Sequence, residues 1–304
     1  MSWGEIQKKN ILVMEELLPD PELPINQNPF KKCCYDLEVL ADTADGSVYR
    51  NDFVSVLEEY PLYYQSVSME LEKLLDGLWV KQADLNDNTY GTYYASSFRV
   101  KNNKFYVGYK LEWRPVLIAF GTGKYRVKFK PLFGNQLTKY SLEYCLNNYT
   151  ADAADRTVRI TYVWDSVIGS KNQVKIRDFV GMEWRNQIRI KDSMFGFKKS
   201  TFTVESVKYQ TGKEVSYKKG NREEYRLEVV NMPNEICEIL LYDILMADDI
   251  YMSDYNSTNN SGTYIEQNVE INGGYEPNYG NLRPNLTLDI PFVDKFNNRD
   301  KKYS

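Results

Sequence analysis

Lys124-Tyr125-Arg126-Val127-Lys128-Phe129-Lys130 alternates without a break, apolar at every odd position and cationic at every even one. A side-chain period of two belongs to a strand with one buried face, so this stretch reads as β structure. Just before it, residues 116–120 form a continuous apolar run, and Gly121-Thr122-Gly123 supplies small residues for a tight turn. The sequence therefore predicts a hairpin, 116–120 paired with 124–130. Upstream, Phe105, Val107, Tyr109, Leu111 and Trp113 alternate with Tyr106, Gly108, Lys110, Glu112 and Arg114, which predicts a third strand in the same sheet.

Strand signals dominate from Leu78 to about Tyr251. Val158, Ile160, Tyr162 and Trp164 alternate, and residues 187–190, 201–209 and 225–230 follow, each bounded by Gly, Asn or Lys-rich turns. Short strands at this spacing predict an antiparallel β-sandwich or barrel-like core over 78–250 in a mainly β (α+β) chain. Residues 236–246 are apolar enough for either a buried strand or a helix.

The flanks read differently. Ser2 with Glu5 forms a capping box, predicting a helix over 3–18 with Trp3, Ile6, Val13 and Leu17 as its apolar contacts. Pro19, Pro21, Pro24 and Pro29 then make a stiff extended strut. A short helix on such a strut buries its apolar stripe either on a neighbouring subunit or on its own domain. This is the arm 1–45. Within 46–77, residues 52–60 and 62–75 read as helices split by Pro61, the second with Val67, Leu71, Leu74 and Leu75 at helical spacing. Past Tyr251 the chain turns polar and turn-rich, broken by Asn272-Gly273-Gly274 and Pro277. Thr287, Leu288, Asp289, Ile290 and Phe292 keep strand character, so 251–304 reads as an extended C-terminal arm able to add a strand to a sheet edge.

Composition narrows the chemistry. At 304 residues with 42% hydrophobic and 26% charged side chains, the chain has the make-up of a soluble globular protein. Aromatics reach 14%, with 25 tyrosines, which suits half-buried sheet faces and wet interfaces. There is no histidine, which removes the commonest general base and the imidazole zinc sites. Cys33, Cys34, Cys145 and Cys237 lack metal-binding spacing and read as reduced thiols. No secretory signal and no membrane-spanning segment is legible.

Candidate motifs fail on their own terms. Gly121-Thr122-Gly123-Lys124 is not a phosphate loop, because Ile118 stands at the first glycine and Tyr125 at the metal-binding hydroxyl. Asp84, Asn86 and Asn88 start like a calcium loop, but Thr89 and Ala95 break it. The carboxylate pairs 58–59, 223–224 and 248–249 point to opposite faces of any strand. The reading is therefore a non-enzyme with no catalytic, cofactor or metal residues.

Charge is the most informative feature. Residues 99–133 carry nine cations and one acid, whereas 235–294 carry eleven acids and one base. The basic strand face (Lys124, Arg126, Lys128, Lys130) can meet nucleic acid, remain solvated, or meet the acidic end of another copy (Asp248, Asp249, with Tyr264 and Tyr275 beyond) head to tail.

The His-free composition rich in Asn, Lys and Tyr, the helical arm before a proline strut, and the ending Gly262-Thr263-Tyr264-Ile265-Glu266, Gly273-Gly274-Tyr275-Glu276-Pro277 and Leu282-Arg283-Pro284 resemble virion structural proteins of tailed bacteriophages. In style they resemble neck and tail ring proteins of crAss-like phages of gut Bacteroides. That resemblance implies β-sandwich subunits in a multi-copy homo-oligomeric ring. The ring would join portal and tail, contact the portal or adjacent tail rings, and line a conduit with transient contact to packaged DNA. It implies location in the virion after assembly in the bacterial cytoplasm, no membrane and no catalytic residues. The competing reading is a carbohydrate-binding or receptor-binding tail protein with Tyr90, Tyr93, Tyr94, Tyr106 and Trp113 as a stacking platform. A two-carboxylate hydrolase is the third.

Overall fold

The structure is a computed structural model that describes residues 13–15, 37–46, 50–61, 67–93, 104–132, 138–165, 167–169, 176–178, 183–191, 193–212, 214–233, 244–253, 267–271, 278–279, 285–294 and 301–302. The chain is mainly β, with several antiparallel sheets. In order the strands are β1 (Val13–Glu15), β2 (Leu37–Ala41), β3 (Phe53–Pro61), β4 (Val67–Leu75), β5 (Leu78–Asp84), β6 (Gly91–Tyr93), β7 (Lys104–Glu112), β8 (Gly123–Pro131), β9 (Lys139–Ser141), β10 (Tyr144–Asn148), β11 (Thr157–Trp164), β12 (Val167–Gly169), β13 (Ile176–Asp178), β14 (Trp184–Lys191), β15 (Ser193–Lys208), β16 (Glu214–Pro233), β17 (Asp249–Ser253), β18 (Gln267–Ile271), β19 (Asn278–Tyr279), β20 (Asn285–Asp294) and β21 (Lys301–Lys302). Helices occupy Trp113–Phe120 and Ala151–Asp155.

Two compact units share the chain. The first takes Met1–Thr150, Val163–Arg189 and Glu235–Asp248, and the second takes Ala151–Tyr162, Ile190–Asn234 and Asp249–Ser304. Neither coincides with the contiguous blocks read from composition, because both are assembled from segments far apart in sequence.

In the first unit β8 is the hub of a seven-stranded sheet ordered β1-β9-β8-β10-β2, with β4 on the other side of β8 and β5 beyond β4. The period-two reading of 124–130 holds: Tyr125, Val127 and Phe129 are buried and the cations between them are not. Its predicted partner is wrong, however. Residues 116–120 belong to the helix Trp113–Phe120, and β8 pairs with β4, β9 and β10 instead. Trp113, Val116 and Leu117 are its buried residues, a spacing of three and four that fits a helix face. Pro115 falls in the first turn, where its missing N–H costs nothing. Gly121 ends the helix at φ 74, its N–H donating to the Leu117 carbonyl at 2.9 Å.

The strand predicted upstream exists as β7 but lies in a different, three-stranded sheet ordered β3-β7-β6. The two helices predicted over 52–60 and 62–75 are strands β3 and β4. Val67, Met69 and Leu71 alternate buried with Ser68 and Glu70, a period of two that the leucines at 71, 74 and 75 mask in the sequence. Pairing decides the matter. β4 sets Met69 and Leu71 opposite Phe129 and Val127, and Glu70 and Glu72 opposite Lys128 and Arg126.

Of the predicted N-terminal helix, Val13–Glu15 is strand β1, antiparallel to β9; the other residues of 3–18 lie outside the described residues. An open edge on β9 competes successfully with a short isolated helix. A nine-stranded sheet carries the path β14-β11-β17-β18-β20-β16-β15. The predicted strands at 158–164, 187–190, 201–209 and 225–230 fall in β11, β14, β15 and β16. The strand read at 287–292 is β20, but it pairs with β16 and β18 of its own chain and so offers no free strand to a neighbour. The reason is burial: Ile290 and Phe292 are fully buried, and Phe292 lies 6.0 Å edge-on from Phe195, which stacks at 5.3 Å on Tyr225. Each such side chain contributes roughly 1.5–3 kcal/mol when buried. Most of 236–246 lies outside the described residues.

Candidate functional site

The exposed side of the β4–β5–β8–β9 region carries the cations singled out by sequence. Arg126 on β8 is clamped between two rings, its guanidinium 3.8 Å from the Tyr140 ring centre and 4.4 Å from that of Trp79. Its Nε donates to Glu72 Oε2 at 2.8 Å. Lys128 Nζ donates to Glu72 Oε1 at 3.1 Å and lies 3.4 Å from Glu70 Oε2. Lys81 on β5 closes the series, 3.3 Å from Glu70 Oε1 and 2.7 Å from Asp84 Oδ1. Cation and carboxylate thus alternate across three strands: Arg126, Glu72, Lys128, Glu70, Lys81, Asp84.

Electrostatics follow from that geometry. Burial works against the charge on Lys128, but the Glu72 hydrogen bond and the nearby Glu72 and Glu70 charges outweigh it and raise its pKa. The hydrogen bond to Asp84 raises that of Lys81. The outer pairs are solvent-exposed and add little; the inner pair, with Arg126 and Glu72 side chains 13% and 6% exposed, is the one that fixes the sheet surface.

Sequence reasoning found the cations but not their carboxylate partners, because it placed Glu70 and Glu72 on a helix. The available signal was their spacing of two, matched to the two-residue spacing of Arg126 and Lys128. Of the other predicted interface residues, Lys124 is half-buried and Lys130 exposed. Asp248 accepts the Asp165 N–H at 2.7 Å, and Asp249 opens β17. Val13 lies in β1; Trp3, Ile6, Leu17, Tyr264 and Tyr275 lie outside the described residues.

The tyrosine platform proposed for sugars is not assembled as read. Trp113 is fully buried, 5.4 Å from Tyr144 and 6.0 Å from Tyr125. Tyr90 lies 5.5 Å from Phe120. Among the described residues no group of three or more Cys, Asp or Glu side chains is placed to hold a metal ion, and no helix is long and apolar enough to cross a membrane.

The second unit has a different feature, missed by sequence. β15 and β16, with 16 and 20 residues, form one long ribbon. It turns through Gly212 at φ 81, whose N–H donates to the Tyr209 carbonyl at 2.9 Å. β20 covers β16 only from Glu224 onward, and β15 has β16 as its one partner among the described strands. Toward the turn, Val204, Val207 and Tyr209 are 57%, 49% and 57% exposed. The lengths were illegible because period-two signals at 201–209 and 225–230 do not reveal that the intervening residues stay paired. No protein-family model matches the chain, and no curated protein matches it in sequence.

Proposed function

We propose that this chain is a non-enzymatic structural subunit of a tailed-phage virion, present in several copies as a ring in the neck or tail between portal and tail. The carrying observation is the β15–β16 ribbon. Its shorter strand, β15, is about 50 Å long at a rise of roughly 3.3 Å per residue, and its far end holds aliphatic and aromatic side chains in water. A second exposed apolar turn, with Leu75, Leu78 and Val80, joins β4 to β5. An open strand edge beside exposed apolar side chains is a template for another chain, and here the partner is a second copy.

The docking mechanism differs from simple attraction between opposed charge blocks. Arg126 and Lys128 are already occupied by Glu70 and Glu72 of their own sheet, so they have little charge left to offer a neighbour. Apolar contact through Val207 and Tyr209 takes that role. Negative-stain electron microscopy of the purified chain tests the reading: ring-shaped particles of one diameter support it, and dispersed single copies at every concentration refute it.

A further inference from the structure

We propose that the turn of the β15–β16 ribbon in one copy docks on the β4–β5 hairpin of the next, so that the contact joins two different surfaces of the same chain. Nine large hydrophobic side chains stand exposed among the described residues, and six of them lie on these two hairpins: Leu75, Leu78 and Val80 on one, Val204, Val207 and Tyr209 on the other. Leu78, at 71%, is the most exposed of the nine. Both hairpins turn tightly, one at Asp76 and Gly77 with φ of 49 and 82, the other at Gly212 with φ of 81. Strand pairing points the same way. β5 has β4 as its one partner among the described strands, as β15 has β16, so each hairpin sets an open edge beside its apolar side chains.

A patch that fits itself closes at two copies, whereas a ring needs two patches that fit each other. Charge makes that distinction here. Asp76 is exposed in the β4–β5 turn, and Lys208 is exposed between Val207 and Tyr209. Hairpin on hairpin would set Asp76 against Asp76, and ribbon on ribbon Lys208 against Lys208; ribbon on hairpin joins opposite charges. The apolar side chains supply the attraction, and the charges select which surface is met. The β4–β5 hairpin belongs to the first compact unit and the ribbon to the second, so each unit contributes one half of the junction. This rests on the ring reading and deepens it by naming the surface that receives Val207 and Tyr209.

Mixing two defective variants of the full chain, with circular dichroism verifying that each is folded, tests it by mass in solution. L78K/V80K alone and V207K/Y209K alone stay single copies. Their equimolar mixture forms a species of twice the 35.6 kDa subunit and nothing larger, because each variant keeps the surface that the other has lost. A charge exchange gives a second readout. D76K weakens assembly about threefold or more at low salt, and adding K208E to the same chain restores it. D76K is the cleaner single change, since Lys208 has Glu214 opposite it on β16. If the native chain assembles but the mixture gives no species of double mass, or L78K/V80K assembles as the native chain does, this junction is overturned and the ring reading stands. A native chain that stays single at every concentration refutes the ring reading and the junction with it.

Discussion

Asp52 and Arg189, 137 residues apart, meet in the interior of the first unit as a two-pronged pair: Arg189 Nε donates to Asp52 Oδ2 at 2.9 Å and Nη2 to Oδ1 at 2.8 Å. They are 3% and 1% exposed. The same Oδ2 accepts the Leu40 N–H at 2.7 Å, and the Asp52 carbonyl accepts the Trp113 N–H at 3.1 Å. One residue thereby joins β2, β3, β14 and the helix. Beside it, Phe53 and Ser55 donate backbone N–H groups to the side-chain oxygens of Gln187 and Asn186 at 3.0 and 2.8 Å, so β14 amides replace a strand neighbour for β3. Arg189→Met leaves a buried carboxylate without its cation and is expected to cost about 3–5 kcal/mol in urea denaturation. The double variant with Asp52→Asn recovers part of that loss; equal or additive losses would contradict the coupling.

Arg126→Lys keeps the charge but loses the planar stack between Trp79 and Tyr140 and the directed bond to Glu72. A loss of about 1–2 kcal/mol is expected, with a shift in Trp fluorescence as the Trp79 environment changes. A double-mutant cycle with Glu72→Gln should show coupling, whereas strict additivity would mean the clamp is decorative.

High pH probes the tyrosine core. Burial pushes Tyr109 and Tyr125 up to about 12, and Tyr144 further in the same direction. A group whose folded pKa lies above its unfolded value stabilises the fold fully below the unfolded pKa and loses that contribution as pH rises to the folded one. Stability should therefore hold to about pH 10 and fall between about 10 and 12, and Lys128 acts in the same direction. Tyr125→Phe loses a 2.6 Å hydrogen bond to the Gly121 carbonyl, at about 1 kcal/mol, and makes the alkaline limb shallower. Tyr144→Phe is close to neutral at pH 7, because its buried hydroxyl has no partner among the described residues. Chemical melts against pH check both.

Two glycines should respond unequally. A Cβ on Gly91 would lie 1.8 Å from the Lys110 carbonyl oxygen, where β6 closes on β7. At Gly121 a Cβ meets open space and only the positive φ opposes it. Gly121→Ala should cost about 1 kcal/mol and Gly91→Ala clearly more. Equal melting temperatures would contradict the close approach.

The sequence was legible where alternation is regular: β8 and β7 announce themselves by it, and so does β11, although all eight of its residues are buried. It misled where two periods coexist. Val67, Leu71, Leu74 and Leu75 satisfy a helix as well as a strand, and only the carboxylates at 70 and 72, seeking Arg126 and Lys128 across the sheet, break the tie. In 113–120 the reverse occurred, since an apolar run conceals the helical spacing of Trp113, Val116 and Leu117. The basic face was visible, but its neutralisation was not, because register depends on which strands meet. Unit boundaries at 162, 189, 234 and 248 leave no compositional trace, as the chain crosses them inside or beside continuous strands.

Assembly is the central claim, and the mass in solution tests it most directly. Multi-angle light scattering of the purified chain should give one multiple of the 35.6 kDa subunit that persists at high salt, because the contact is apolar, and that collapses in V207K/Y209K. A 35.6 kDa species at every concentration and salt, unchanged in that variant, would contradict the account.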